Sequence, residues 1–156
     1  MRNGMATDNI NYITISGIPD DTVYKEIVNL YSELFEDADL EFFKQRILEH
    51  PKLFSVLAYH NDQLIGFKVG YPYNEKTFYS WIGGVLSKYR QQGIGTQMLK
   101  IQEKFAGNNG FKKLRTKSMN TYKAMMILNL KNGFYITNVY TNTKGQTKIV
   151  FEKFLS

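Results

Sequence analysis

Apolar and polar residues alternate along NYITISGI (11–18), the period of a half-buried strand, and Gly-Ile-Pro ends the run. From Asp20 the period changes. Val23, Ile27, Leu30, Tyr31 and Leu34 recur at helical spacing behind Asp20 and Asp21, which stand where caps belong, so a helix is expected to about residue 36. A second helix over about 39–49 carries Leu40, Phe43, Ile47 and Leu48, and Pro51 stops it. LFSVLAYH (53–60) and QLIGFKVGYP (63–72) read as strands, with a hairpin turn at Asn61-Asp62. KTFYSWIGGVL (76–86) is a further strand with Gly83-Gly84 inside it.

The pattern turns helical again over about 92–107. Ile94, Met98, Ile101 and Phe105 recur at intervals of four, three and four, and Asn108-Asn109-Gly110 ends the segment. FKKLRTKS (111–118) reads as a strand. Asn120 is placed to cap a helix that Gly133 closes, and FYITNVYT and KIVFEKFL form a last strand pair around Lys144-Gly145. The order βααβββαβαββ, without linker, repeat or low-complexity tract, predicts an α+β or mixed α/β domain.

Composition narrows the chemistry. The 156 residues are enough for one domain with a buried core, and 43% hydrophobic content with 11 Tyr, 11 Phe and one Trp argues against disorder. The absence of cysteine excludes disulfides and thiolate chemistry and suits a reducing, cytoplasmic setting. His50 and His60 lie ten apart with no helical spacing, so surface or loop roles are expected and no metal site. No apolar run reaches membrane-spanning length. MRNGMATDNINY has no apolar core of a secretion signal, and residues 1–10 are expected to be flexible.

The net charge is +6, unevenly spread. Residues 20–49 hold 9 of the 14 acids against Lys25, Lys44 and Arg46, a local net of −6, so the remainder carries 17 − 5 = +12. An acidic block ahead of a basic body points either to two surfaces with different partners or to solvated helix faces.

SKYRQQGIGTQMLKIQ (87–102) joins a strand to a helix through two glycines. The leading amides of a helix lack intrahelical acceptors, and the helix dipole adds about half a positive charge there. Gly93 and Gly95 remove the Cβ atoms that would hold an anion away. A Walker loop is excluded because no lysine precedes Thr96. A dinucleotide fingerprint is excluded because Met98 stands at the third glycine and Arg115 near the required acid. A multiply charged anion remains.

At Arg90-Gln91-Gln92-Gly93-Ile94-Gly95 the chain resembles the R/Q-x-x-G-x-G/A motif of the GNAT family of N-acetyltransferases. Val85-Leu86-Ser87-Lys88-Tyr89 is similar to the family's approach to that turn, with Ser87 in place of proline, and Asn132-Gly133-Phe134 resembles its closing Gly-Phe. The resemblance implies one N-acetyltransferase domain over residues 11–156, with a mostly antiparallel twisted sheet flanked by about four helices. It implies acetyl-coenzyme A as co-substrate and no metal. The pyrophosphate would meet Arg90, Gln91, Gln92, Gly93, Ile94, Gly95 and Thr96, and the pantetheine would meet the backbone of Gly84, Val85 and Leu86. Glycines inside a strand independently signal a bulge or close approach, the alternative being that Gly83-Gly84 only relieve crowding against Trp81 or a helix. Lys88, Lys123 and Lys131 are candidates for the 3′-phosphate.

Acyl transfer from a thioester requires a neutral amine, a route for its proton and donors for the oxyanion, for which the amides of Val85 and Leu86 are placed. Many family members carry a tyrosine acid four residues before the closing Gly-Phe, where this chain has Asn129. Asn129 either hydrogen-bonds the cofactor or ties a neighbouring strand, and Tyr122 or Ser118 are substitute acids. The family's cofactor-contacting asparagine corresponds to Asn120, two residues farther from Gly133 than usual. Tyr79 and Trp81 share a strand face with Val85 if no bulge intervenes, Tyr79 with a catalytic and Trp81 with a substrate role. Glu36, Asp39 and Glu41 would border the acceptor site and draw a cationic amine. The expected reaction is direct acetyl transfer to a primary amine of a small molecule or peptide, and a homodimer is compatible with it. A non-catalytic acyl-coenzyme A module is the alternative. A basic nucleic-acid-binding domain is disfavoured, because the aromatics fall mostly at core spacing.

Overall fold

The computed structural model describes residues 9–155. Its elements are β1 (Ile10–Ser16), α1 (Asp21–Leu34), α2 (Leu40–Leu48), β2 (Phe54–His60), β3 (Gln63–Pro72), β4 (Thr77–Val85), a 3₁₀ turn (Ser87–Tyr89), α3 (Ile94–Asn108), β5 (Lys113–Ser118), α4 (Lys123–Lys131), β6 (Tyr135–Thr141) and β7 (Thr147–Phe154). The predicted order is present throughout, with the 3₁₀ turn added. One mixed sheet takes the order β1-β2-β3-β4-β5-β7-β6. The pairs β1–β2, β2–β3, β5–β7 and β6–β7 are antiparallel, and β4–β5 is parallel. Of the segment expected to be flexible, residues 1–8 lie outside the described residues, and Ile10 already belongs to β1.

The chain divides into two compact units, one running to Tyr71 and resuming over Ile82–Gln102, the other comprising Pro72–Trp81 and the chain from Glu103. In the first unit, Asp20 accepts a hydrogen bond from Val23 N–H at 2.9 Å and caps α1, while Asp21 is the first residue of the helix rather than a cap; Asp39 accepts from Phe42 N–H at 3.1 Å and caps α2. Ile27, Phe43 and Ile47 are buried, each contributing about 1.5–3 kcal/mol, and Tyr31 stacks on Phe43 at 4.2 Å. Leu40 and Leu48, expected in the core, are exposed, because a nine-residue helix buries only the narrow stripe through Phe43 and Ile47. The β2–β3 hairpin turns through Asn61 and Asp62, both at positive φ, as a two-residue primed turn requires.

In the second unit, Phe78 packs edge-on against Phe105 and Phe111, and Leu114, Val150 and Phe151 are fully buried. Asn120 does not cap α4. A turn closed by Tyr122 N–H to Met119 C=O at 2.9 Å leaves Asn120 exposed before the helix and puts Tyr122 at the cap position, where its side chain makes no capping hydrogen bond. The other end of α4 closes as expected. Phe134 N–H donates to Asn129 C=O at 3.0 Å and Gly133 N–H to Leu130 C=O at 3.3 Å, the paired bonds of a Schellman cap. The Gly-Phe signature is therefore a helix stop whose phenylalanine is buried.

Candidate functional site

The turn after β4 is held from several sides. Leu86 N–H donates to Ile65 C=O at 2.9 Å, and Arg90 Nε returns to Val85 C=O at 3.0 Å. Tyr89, buried within the 3₁₀ turn, places its hydroxyl 2.6 Å from His60 Nδ1, and Gln92 Nε2 donates to Lys88 C=O at 3.3 Å. The chain then passes through Gln91 at φ 62° and Gly93 at φ 81°. A left-handed glutamine costs about 1–2 kcal/mol and marks a turn imposed by its surroundings. Among the described residues, no atom beyond its two chain neighbours lies within 4 Å of where a Cβ on Gly93 would stand, so this face of the turn is open.

Ile94, Met98 and Leu99, all buried, anchor the first turns of α3. Gln97 N–H to Gly93 C=O, at 3.0 Å, opens the helical ladder, so the amides of Ile94, Gly95 and Thr96 have no acceptor within the helix. Arg90, Gln91, Gln92, Gly93, Ile94, Gly95 and Thr96 are thus brought together as one donor-rich turn. Leu86, in contrast, is not available as an oxyanion donor through its amide, which is bound to Ile65, and of the two expected donors Val85 remains.

Gly83 and Gly84 answer to different neighbours. A Cβ on Gly83 would stand 2.7 Å from Phe67 C=O and 3.2 Å from Lys68 Cα, both on β3. A Cβ on Gly84 would stand 2.8 Å from Leu34 Cδ1, at the end of α1. Of the two crowding partners considered from sequence, the helix is the one met. Leu34 and Ile65 are positioning residues that sequence reasoning did not single out, and neither carries a local signal for it. Tyr89 belongs to the recognised approach motif, but its partner His60 is identifiable only once β2 is placed.

In the second unit, β4 pairs with β5 from Thr77↔Lys113 to Tyr79↔Arg115 and no further, and Thr116 Oγ1 donates to Ser80 C=O at 2.7 Å just past that point. Tyr79 and Trp81 are half-buried while Phe78 and Ser80 are buried, the alternation of one strand face. Tyr122 is half-buried at the start of α4, and Ser118 is buried at the end of β5. Asn129 is 2% exposed, and its Nδ2 has no hydrogen-bond partner among the described residues. That donor therefore ties down no neighbouring strand.

Glu36, Asp39 and Glu41 are all exposed at the α1–α2 junction. Asp39 also has its capping role, and its own N–H donates to Tyr31 Oη at 3.1 Å. Lys88, Lys123 and Lys131 are exposed. Burial, then the hydrogen bond to Glu26, pushes Tyr59 well up, and burial, then Arg46, lowers His50, which stacks on Tyr71 at 3.6 Å.

The model of the acetyltransferase (GNAT) family matches residues 21–134. The chain belongs to this family. It is an acyltransferase by membership, and the open glycine turn ahead of α3 lies within the matched span. No curated protein matches the sequence significantly. Among solved structures, a GNAT family acetyltransferase from Elizabethkingia anophelis with acetyl-CoA bound is 27% identical, covers 95% of this chain and 99% of its own, and superimposes with a TM-score of 0.74. The ribosomal-protein-S18-alanine N-acetyltransferase from Escherichia coli is 15% identical, with 94% and 95% covered and a TM-score of 0.75. An aminoglycoside 6′-N-acetyltransferase complexed with coenzyme A is 16% identical, with 92% and 97% covered and a TM-score of 0.75. The last two share the fold. Among the described residues no helix is long and apolar enough to cross a membrane, and no group of three His, Cys, Asp or Glu side chains is arranged to hold a metal.

Proposed function

We propose that this GNAT protein transfers the acetyl group of acetyl-coenzyme A directly to a primary amine of a cationic small molecule or peptide, with both substrates bound together. The observation that carries the reading is the turn from Arg90 to Thr96. Its left-handed Gln91 and Gly93 lead into free helix amides, and the Cβ position of Gly93 is open. These residues fit a diphosphate: the donors converge at a helix start, and the dipole favours negative charge there. The bound co-substrate supplies an activated thioester carbonyl to which the amine adds as the carbon–sulfur bond breaks.

The chain's own residues bind, orient and move protons. Arg90 holds the end of β4 against the turn through Val85 C=O, and the Val85 amide serves the developing negative charge. Gly84 and Leu86 line the pantetheine through their backbone. Asn129, a buried amide with an uncommitted Nδ2, donates to the sulfur or the acyl group. Asparagine cannot release a proton usefully, so the proton that the amine loses on becoming an amide reaches the leaving thiolate by way of Tyr122 or water. Asn120 makes a further cofactor contact. Glu36, Asp39 and Glu41 attract the cationic amine, and Tyr79 and Trp81 shape its approach.

Asn129 in place of the family's tyrosine favours a second reading, a non-catalytic acyl-coenzyme A binder. Calorimetry with acetyl-coenzyme A and a thiol-release assay across an amine panel separate the outcomes. Binding with thiol release on cationic amines is expected. Binding without release for any amine establishes the second reading. Absence of binding, with Gly93→Val behaving like the unaltered protein, overturns both.

A further inference from the structure

Strand β5 places Lys113, Arg115 and Lys117 on one face, two residues apart, while Leu114 turns into the core. Each cation lies over an aromatic ring. Lys113 Nζ is 5.7 Å from the Phe154 centroid, Arg115 Cζ 5.2 Å from Tyr73, and Lys117 Nζ 5.4 Å from Tyr140. The register explains part of the row, since Lys113 pairs directly with Phe154 and Arg115 with Glu152. Glu152 faces two of these cations, at 3.2 Å from Lys113 and 2.9 Å from Arg115, and among the described residues Lys117 has no such ion pair. Lys148, opposite Tyr140 on β7, adds a fourth cation to the face.

The rings are not sealed by their cations. Phe154 remains 76% exposed and Tyr73 57% exposed. At the Lys113 end the face opens into a shallow depression of about 470 Å³, lined by Lys76, Lys112, Lys113 and Phe154 with Glu75 as its one acid. All these residues belong to the second unit. Core spacing of the aromatics argued against nucleic acid at the level of sequence, but Tyr73 and Phe154 lie outside the core.

We propose that this face binds a short stretch of single-stranded nucleic acid, with phosphates on Lys113, Arg115 and Lys117 and bases against Phe154 and Tyr73. The excess of cations selects a polyanion, and exposed rings beside them select stackable bases over a carboxylate-rich peptide. Lys113 to Lys117 spans about 13 Å of strand, so the held segment is short and its affinity modest.

Fluorescence anisotropy of the full chain with labelled oligouridine and oligothymidine, with and without saturating coenzyme A, tests the proposal. Both strands are expected to bind, with a slope of log affinity against log salt near −2, as three phosphate contacts on a single strand require. Lys113→Ala and Lys117→Ala should each flatten that slope by about 0.7. Phe154→Ala and Tyr73→Ala should weaken binding roughly tenfold at an unchanged slope. Both rings are exposed, so these variants keep the fold, and unchanged thermal melts check that. The proposal is overturned if neither strand binds at about 50 mM salt. It is overturned equally if polyglutamate binds as well as either strand, or if the ring variants bind like the unaltered protein. Displacement of the strand by coenzyme A would assign the signal to the cofactor turn and likewise overturn it.

Discussion

Replacing Gly84 with alanine sets a methyl carbon 2.8 Å from Leu34 Cδ1, about 1 Å inside ordinary carbon–carbon contact. Leu34 is half-buried and its tip can rotate, at a cost of about 0.5–1.5 kcal/mol. Gly84 is not in the left-handed region, so alanine adds no backbone strain and stabilises by about 0.4–1 kcal/mol through the unfolded chain. The net loss for Gly84→Ala is about 0–1 kcal/mol. At Gly83 the obstacles are Phe67 C=O at 2.7 Å and Lys68 Cα at 3.2 Å, main-chain atoms that cannot rotate away. Gly83→Ala should therefore cost roughly 2–3 kcal/mol.

Leu34→Ala alone should cost about 1–2 kcal/mol, less than a fully buried leucine. Combined with Gly84→Ala, the new methyl occupies the released space. The double variant should then be more stable than additivity predicts by about 1 kcal/mol, whereas Leu34→Ala with Gly83→Ala should be additive. Thermal or urea melts resolve this, since 1 kcal/mol shifts Tm by about 2–4 °C in a chain this size. The methyl on residue 84 points at Leu34, so KM for acetyl-coenzyme A in the double variant should match that of Leu34→Ala alone. Equal losses at 83 and 84, or no rescue by Leu34→Ala, would refute the assignment of separate neighbours to the two glycines.

Asn129→Leu removes an unsatisfied buried donor and should leave stability unchanged or raise it by about 1–2 kcal/mol while thiol release falls, as read by Tm and kcat/KM together. Asp39→Ala should destabilise by about 0.5–2 kcal/mol through loss of the α2 cap. Asp39→Asn keeps a capping oxygen, so its stability should hold while KM for a cationic amine rises. Gln91→Gly should stabilise by about 1 kcal/mol in melts by relieving the left-handed backbone. Burial alone would raise the Glu152 carboxyl, but hydrogen bonds from Lys113 and Arg115 outweigh it and hold the group below the ordinary range. Its stabilisation is thus present above the unfolded carboxylate pKa, near 4.3, and is lost as pH falls through the lower folded value. The gap between the protein and Glu152→Gln, roughly 1–2 kcal/mol at neutral pH, should close in melts below about pH 4.

Local patterns determined much of this protein. Hydrophobic period sets element type within a few residues, so the order of strands and helices is present in the chain before any packing is known. Asp20 is legible as a cap because a cap bonds to an amide three residues away, and Asn61-Asp62 is legible as a hairpin because both residues tolerate positive φ. The Gly93 turn is readable for the same reason, as is the Schellman stop at Gly133-Phe134.

Nonlocal contacts decided the rest. Asn120 lost the cap to Tyr122 because a turn from Met119 set where α4 begins. The Leu86 amide is occupied by Ile65, 21 positions earlier, and Gly84 faces a leucine 50 positions earlier. The cations of β5 find their rings on β7, on β6 and ahead of β4, through pairings that no residue of 113–117 encodes by itself. Backbone propensity and capping act over a few bonds and survive as sequence signals. Steric exclusion, donor occupancy and cross-strand charge depend on which surfaces meet, and only the folded chain specifies that.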